Sequence, residues 1–161
     1  TDAKQVQADP HEFGKKLSTA KASQITDDFM VVARIESLIL EKGLDDALER
    51  AQIYVDAGAD AVLIHSKSKS ADEVLAFSHS FKANFPSVPI IAVPTMYNRV
   101  TDEELAAGGI RMIIYANHML RAAYPHMREV AQRILANGRT FDAEDLLEPI
   151  SSILTLIPGN N

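Results

Sequence analysis

Six polar or ionisable residues stand at or just after the ends of four apolar runs in this sequence. Their types suit the binding of a small anion, because an arginine offers a planar fork of donors and a histidine can donate a hydrogen bond or a proton near neutral pH. If the apolar runs are parallel strands, these residues gather at one edge, since the carboxyl ends of such strands lie together. The six are Arg34, Glu36, His65, Ser66, Thr95 and Asn117.

Each of these residues also has a purely structural interpretation. Arg34 and Glu36 lie two apart, on one side of an extended chain, and could form an ion pair that closes a barrel mouth. His65 would then be a hydrogen-bonded structural histidine, Ser66 a loop or cap residue, and Asn117 the cap of a helix. Polar residues at four successive run ends favour a binding site, because packing alone requires none of them.

The elements that position these residues alternate along the chain. Short runs rich in Val and Ile are typical of strands covered on both faces, and they occupy residues 29–33, 61–64, 89–93 and 112–115. Helical patterns follow at residues 43–57, after the capping-box motifs SADE (70–73) and TDEE (101–104), and at residues 119–136. Repeated strand–helix units imply parallel strands joined by right-handed crossovers, a pattern that doubly wound sheets and half-barrels share.

The two ends of the sequence differ from this repeat. Residues 11–22 predict a helix that leads the chain into the first strand. Residues 142–157 form a further amphipathic segment, which Pro149 interrupts. This segment has no strand of its own to cover, so we expect it to pack on a partner subunit.

Composition excludes several classes of protein. The chain has 161 residues, 47% hydrophobic, which suffices for one domain with a core, and its net charge of −6 with scattered Lys and Arg argues against nucleic-acid binding. Cys is absent, and no His, Asp or Glu cluster has metal-ligand spacing. No apolar run approaches the length of a membrane span, so we expect a soluble, cytoplasmic protein without a membrane partner.

A long block of the sequence resembles one enzyme family. VVARIESLILEKGLDDALERAQIYVDAGADAVLIHSKSK, followed by PIIAVPTMY and IIYANHMLRAA, resembles the phosphoenolpyruvate mutase branch of the isocitrate lyase superfamily. The ARIES and HSK segments resemble this branch more than isocitrate and methylisocitrate lyases, which tend to carry an ARTDA-like strand end and an acidic residue in place of His65. Phosphonopyruvate hydrolases are nearer, but tend to show HSR and GNH where this chain has HSK and ANH.

The resemblance implies an α/β fold, a (β/α)8 TIM-type barrel with Mg²⁺ and substrate at its C-terminal rim. Residues 1–141 would form the C-terminal half of the barrel, and residues 142–161 a helical extension exchanged between subunits of a homo-oligomer. The resemblance also implies that Arg34 binds the anionic groups of the substrate and that His65 lies in the phosphoryl site, with Ser66 as a substrate-binding residue. Glu36, Thr95 and Asn117 would support the rim.

The implied reaction interconverts phosphoenolpyruvate and phosphonopyruvate. The Mg²⁺-binding carboxylates, the catalytic aspartate and the gating loop of the family belong to the N-terminal half of the barrel, so we expect no metal ligand in this chain. We therefore expect a fragment that is inactive alone. The alternatives are a phosphonopyruvate hydrolase, a C–C lyase of the isocitrate or methylisocitrate type, and a non-catalytic half-barrel that only binds.

Overall fold

The computed structural model describes residues 5–157, in which strands and helices alternate as the sequence pattern predicts. The strands are β1 (Val32–Ile35), β2 (Ala61–Ile64), β3 (Ile90–Ala92) and β4 (Met112–Ile113). The helices are α1 (Pro10–Ala22), α2 (Gly43–Asp56), α3 (Asp72–Asn84), α4 (Asp102–Ala107), α5 (His118–Asn137) and α6 (Ile150–Leu154), with a 3₁₀ helix at Phe141–Leu146. Residues 1–4 of the predicted half-barrel and 158–161 of the predicted extension lie outside this description.

The four strands form one parallel sheet in chain order, β1-β2-β3-β4. The register places Ile35 beside Ile64, and Ile64 beside Ala92, so the loops after β1, β2 and β3 leave from the same edge. A doubly wound sheet reverses its strand order at a switch point, whereas this order runs in one direction, as in the wall of a (β/α) barrel.

Helices cover one face of this sheet and form the core with it. The buried strand residues of that face meet buried side chains from α2, α3 and α4, and the Phe77 and Phe81 rings stack with centroids 5.5 Å apart. The strand residues are Ala33, Ile35, Val62, Ile64, Ile90 and Ala92. In β1, exposed and buried residues alternate, so the expected burial on both faces is wrong for this strand. The reason is that Val32 and Arg34 lie outside the hydrophobic core, and both side chains stay exposed.

The first strand begins three residues later than its apolar run predicts. The Val31 N–H donates to Asp60 Oδ2 at 2.7 Å, and the Asp60 N–H donates to the Val31 carbonyl at 2.8 Å. Lys21 Nζ holds the Asp60 carboxylate in place at 2.8 Å. Because the Asp60 side chain takes the N–H that a neighbouring strand would otherwise bind, regular pairing begins only at Val32, beside Ala61.

One of the two predicted capping boxes is confirmed and the other is wrong. The Thr101 hydroxyl accepts from the Glu104 N–H at 3.2 Å, and the Glu104 carboxylate accepts from the Thr101 N–H at 2.8 Å. At the start of α3, the Glu73 carboxylate accepts a hydrogen bond from the Ser66 hydroxyl, and the helix has no side-chain cap. The Glu73 carboxylate, which the local motif predicts to cap the helix, therefore binds the loop residue Ser66 instead.

Residues after Ala116 form a second compact unit. Its helix α5 ends at Gly138, whose φ of +62° is the left-handed conformation that glycine adopts without strain. Arg133 ties α5 to the following segment, through Asp145 at 2.6 Å, and Pro149 separates the 3₁₀ helix from α6 as predicted. Large apolar side chains of this unit stay exposed, among them Met119, Leu120, Leu135, Phe141, Ile150 and Leu154. None of the helices in residues 5–157 combines the length and apolarity that crossing a membrane requires.

Candidate active site

Arg34 and Glu36 lie at the carboxyl end of β1, on the face that the helices leave uncovered. Arg34 Nε donates to Glu36 Oε1, so the two side chains form the ion pair that the structural interpretation describes. The Arg34 side chain nevertheless keeps 55% of its surface exposed. Because Glu36 binds Nε alone, the two terminal nitrogens of the guanidinium can still form a bidentate fork with a carboxylate or phosphoryl group.

His65 lies next to this pair, at the end of the neighbouring strand β2. The imidazole is half-buried, and its Nδ1 is buried with no hydrogen-bond partner among the described residues. Burial lowers the pKa of His65, and the positive charge of Arg34 lowers it further, while Glu36 and the Val93 backbone oppose the change. The structure therefore brings Arg34, Glu36 and His65 together, and it favours a neutral imidazole near pH 7.

We expect the two charged neighbours of His65 to shift its pKa in opposite directions. Arg34→Met removes a positive charge and should raise the pKa of His65, whereas Glu36→Gln removes a negative charge and should lower it. Arg111, at the amino end of β4, provides a control, since Arg111→Met should leave this pKa unchanged. A pH titration of the imidazole Cε1–H signals by NMR measures the pKa of His65 in all three variants. Shifts of this pKa in the same direction in Arg34→Met and Glu36→Gln would contradict the placement of both charges beside His65.

The same lowered pKa makes the stability of the protein depend on pH. In the unfolded state the pKa of His65 is about 6.5, so below that pH the unfolded state binds more protons than the folded state. The free energy of unfolding should therefore decrease as the pH falls below about 6.5. In His65→Gln, the free energy of unfolding should depend less on pH, as measured by denaturant titrations between pH 7 and pH 5. An unchanged pH dependence would show that His65 is not its source.

The loop after β2 is held by Ser66. This residue is fully buried, and its hydroxyl donates to Glu73 while accepting from the Ser68 N–H at 3.0 Å. Lys67, the residue between them, faces outward and pairs with Glu41 in the loop after β1, with 2.7 Å between Nζ and Oε1. The Ser66 hydroxyl thus links the loop to α3 through Glu73 and fixes the turn of the loop through Ser68.

Thr95 and Asn117 complete the set of predicted rim residues. Thr95 follows β3 and is half-buried, and its N–H donates to the Val93 carbonyl at 2.8 Å. Asn117 is the N-cap residue of α5, but its side chain makes no capping hydrogen bond, so a capping role is wrong for this side chain. Its buried Oδ1 has no partner among the described residues. Asn117 belongs to the second unit, and the supporting roles of both residues stay predictions.

A polar network beneath the end of β1 is absent from the sequence-based prediction. The buried Ser37 hydroxyl donates to Asp46 Oδ2 at 2.6 Å, and Arg50 Nε donates to the same oxygen at 3.0 Å. Gln7 Nε2 donates to Ser37 Oγ at 3.0 Å, across 30 residues of chain. The four-residue spacing of Asp46 and Arg50 on α2 was the available signal. It identifies the helix pair alone, because the other links join segments that only the fold brings together.

The residues described do not form a metal centre. Within residues 5–157, no group of three or more His, Asp or Glu side chains is arranged to hold a metal ion. The site around Arg34 contains one carboxylate, Glu36, which an arginine already engages. These residues do not fit a Mg²⁺ site by themselves.

The sequence matches known proteins over most of its length. A profile of the family described as phosphoenolpyruvate phosphomutase matches residues 1–135. This chain belongs to the phosphoenolpyruvate phosphomutase family. Among curated relatives, a phosphonopyruvate hydrolase from Variovorax sp. (strain Pal2) is 40% identical over 157 residues, which make up 97% of this chain and 53% of the relative. A phosphoenolpyruvate phosphomutase from Tetrahymena pyriformis is 37% identical over 155 residues, 96% of this chain and 51% of the relative.

Solved structures of this family confirm the predicted α/β fold. A phosphoenolpyruvate phosphomutase from Streptomyces platensis subsp. rosaceus superposes with a TM-score of 0.84 at 41% identity, over 96% of this chain and 53% of its own. A phosphonopyruvate hydrolase in complex with oxalate and Mg²⁺ gives a TM-score of 0.81 at 39% identity, over 96% and 54%. The phosphomutase-type α/β fold with its parallel sheet is thus present, and the chain spans about half the length of the curated relatives it matches.

Proposed function

We propose that this chain supplies the anion-binding rim of a phosphoenolpyruvate mutase, which interconverts phosphoenolpyruvate and phosphonopyruvate. In that isomerisation the P–O bond of the ester breaks and a P–C bond forms at the enolate carbon. The observation that carries the proposal is the placement of Arg34 beside His65 at the ends of neighbouring parallel strands. An exposed guanidinium next to a neutral imidazole suits a small, highly anionic substrate.

Arg34 would bind and orient the anionic group of the substrate. Phosphoryl transfer passes through a loose, metaphosphate-like transition state whose charge spreads over three equatorial oxygens. The two terminal nitrogens of the guanidinium can follow two of those oxygens, while Glu36 holds the third nitrogen and with it the orientation of the fork. Arg34 therefore supplies positioning and charge stabilisation, which are the main catalytic needs of such a reaction.

His65 would act as a neutral hydrogen-bond donor. Its lowered pKa keeps the ring uncharged near pH 7, so one ring N–H can bind a phosphoryl oxygen without moving a proton. A proton delivered to that oxygen would reduce the charge that Arg34 recognises. We therefore assign His65 to hydrogen bonding at the phosphoryl group and assign it no acid–base role.

We place Ser66 behind the site, as the residue that organises the loop after β2. Ser66→Ala should lower the free energy of unfolding by about 1–3 kcal/mol, because the hydroxyl is buried and bonds to a carboxylate. The KM for phosphonopyruvate should change less than threefold. Ser152→Ala, on the exposed side of α6, controls for the loss of a serine hydroxyl. A large rise in KM without a loss of stability would instead assign the Ser66 hydroxyl to the substrate, as the sequence-based prediction has it.

Several further features belong to the same proposal. We propose a requirement for Mg²⁺, with ligands outside residues 5–157, supported by the hydrolase relative whose structure contains oxalate and Mg²⁺. We also propose a homo-oligomer in which the extension at residues 142–161 is exchanged between subunits, supported by the exposed apolar side chains after Ala116. A cytoplasmic location stays a prediction.

A phosphonopyruvate hydrolase is the second candidate, because a curated relative of that activity shares 40% of the aligned residues. Arg34 and His65 would hold the same phosphoryl group, and water would capture it in place of the enolate carbon. The segments HSK and ANH, which resemble the mutase branch, favour the mutase.

³¹P NMR of phosphonopyruvate with Mg²⁺ and the full-length protein tests the proposal. A new signal from the phosphate ester of phosphoenolpyruvate is the expected result. Inorganic phosphate without that ester would establish the hydrolase. An unchanged spectrum would exclude both activities and leave a C–C lyase or a non-catalytic binding half-barrel.

A further inference from the structure

A cleft opens between the end of β1 and the chain that precedes α1. It has a volume of about 410 Å³, and Arg34 and Glu36 form one of its walls. The opposite wall consists of residues 5–8, which have no helix or strand of their own. Arg50 lines the same cleft from α2. The wall opposite Arg34 therefore depends on side-chain contacts for its position.

Two of those contacts come from the network beneath β1. Arg50 Nη1 donates to the Ala8 carbonyl at 2.9 Å, and Gln7 Nε2 donates to Ser37 Oγ at 3.0 Å. The network is closed on itself, because Ser37 and Arg50 both donate to Asp46 Oδ2. A single oxygen of the partly buried Asp46 carboxylate thus links both attachment points of the segment.

Arg50 is suited to this task by its environment. Only 12% of its side chain is exposed, and Nη1 also donates to Tyr54 Oη at 3.2 Å. The guanidinium thus bonds to a carboxylate, a carbonyl and a hydroxyl in three directions. Lysine carries the same charge but lacks this rigid fork, so it cannot reproduce the geometry.

The network also reaches the other wall of the cleft. Ser37 directly follows Glu36, the ion-pair partner of Arg34, and its side chain is completely buried. The bonds that hold Gln7 and Ala8 therefore share a residue with the turn that carries Glu36. Hydrogen bonds to one partly buried carboxylate, Asp46, therefore connect both walls.

We propose that Arg50 is a positioning residue that, through Asp46 and Ser37, holds residues 5–8 as the wall of the cleft opposite Arg34. The proposal rests on the proposed function in one respect, namely that this cleft receives the anionic group of the substrate. Arg50 would act on that group indirectly, because its Nε and Nη1 already donate to Asp46, Ala8 and Tyr54. Arg50 fixes the distance between residues 5–8 and the guanidinium of Arg34. The loss of Arg50 therefore enlarges the cleft and weakens anion binding.

The test compares Arg50→Met and Arg50→Lys with Lys15→Met, which removes an exposed cation from nearby α1, all in the full-length protein. Backbone ¹⁵N relaxation reports the mobility of residues 6–8, and calorimetric titration with oxalate and Mg²⁺ reports anion affinity. In Arg50→Met, order parameters should fall from about 0.85 to below about 0.6. The Kd for oxalate should rise about 10–100-fold, as expected when a residue that supports a binding group is lost. Both values for Arg50→Lys should lie between those of Arg50→Met and the parent protein. Lys15→Met should show the order parameters and the Kd of the parent protein.

Unchanged order parameters in Arg50→Met would overturn the inference. So would increased mobility with an unchanged Kd, because the network would then serve the fold alone. Failure of the parent protein to bind oxalate would instead count against the proposed function, so the two kinds of failure are distinguishable.

Discussion

Replacing Arg34 by alanine in the full-length protein is expected to lower kcat/KM for phosphonopyruvate by about 10³-fold or more, the range for an arginine that stabilises transferring phosphoryl oxygens. The loss should appear in kcat as well as in KM, because the guanidinium meets more charge in the transition state than in the ground state. Stability should change by less than about 1 kcal/mol, since the Arg34–Glu36 pair is half-exposed. Steady-state kinetics and denaturant titration measure the two effects.

Two further variants distinguish bidentate binding of the anionic group from the effect of positive charge alone. Arg34→Lys keeps the charge but loses the bidentate fork, so it should recover only a small part of the activity. Arg111→Ala removes an exposed arginine at the opposite edge of the sheet and should leave kcat/KM unchanged. Full activity in Arg34→Ala would show that Arg34 and Glu36 form only a structural ion pair.

His65→Ala is expected to lower kcat by about 10²–10³-fold, as for the loss of one donor to a developing anion. His65→Asn tests the chemical role, because the amide offers a neutral N–H but cannot transfer a proton near pH 7. If His65 is a neutral donor, the asparagine variant should retain at least about ten times the activity of the alanine variant. Pre-steady-state kinetics with phosphonopyruvate would measure the rate of the chemical step in both variants.

The control for this pair is His79→Ala, since His79 is exposed on α3. Its kinetics should match those of the parent protein. Equal losses in His65→Asn and His65→Ala would contradict a donor role and indicate acid–base catalysis, and the pH profile of kcat should then follow the lowered pKa of His65. Arg34→Ala and His65→Ala combined should cost less than the sum of the two, because both act on one phosphoryl group.

Local patterns predicted most elements of the fold. The second strand coincides with its apolar run at Ala61–Ile64, and α2 follows the predicted apolar periodicity. The repeated strand–helix units did not predict the order of the strands in the sheet, but they did predict the parallel direction. These features are encoded within short stretches of chain, by side-chain period and β-branched composition, so no distant residue is needed to specify them.

Two local predictions failed where a side chain outside the local pattern competed for a backbone or capping group. The first strand starts late because Asp60 binds the Val31 N–H. The SADE motif does not form a capping box because Ser66 takes the Glu73 carboxylate. In contrast, no distant partner intervenes at Thr101, and its capping box forms. At these three sites, the outcome depended on whether another side chain bound the groups of the local motif.

The sequence alone determined which residues stand at the strand ends, because strand polarity and a period of two place Arg34, Glu36 and His65 at one rim. The tertiary structure alone decided how these residues behave. Burial and the charge of Arg34 lower the pKa of His65, and hydrogen bonds join Gln7 to Ser37 and Ala8 to Arg50, beside the cleft. Electrostatic effects and long-range hydrogen bonds depend on distances between segments far apart in the chain, and those distances exist only after folding.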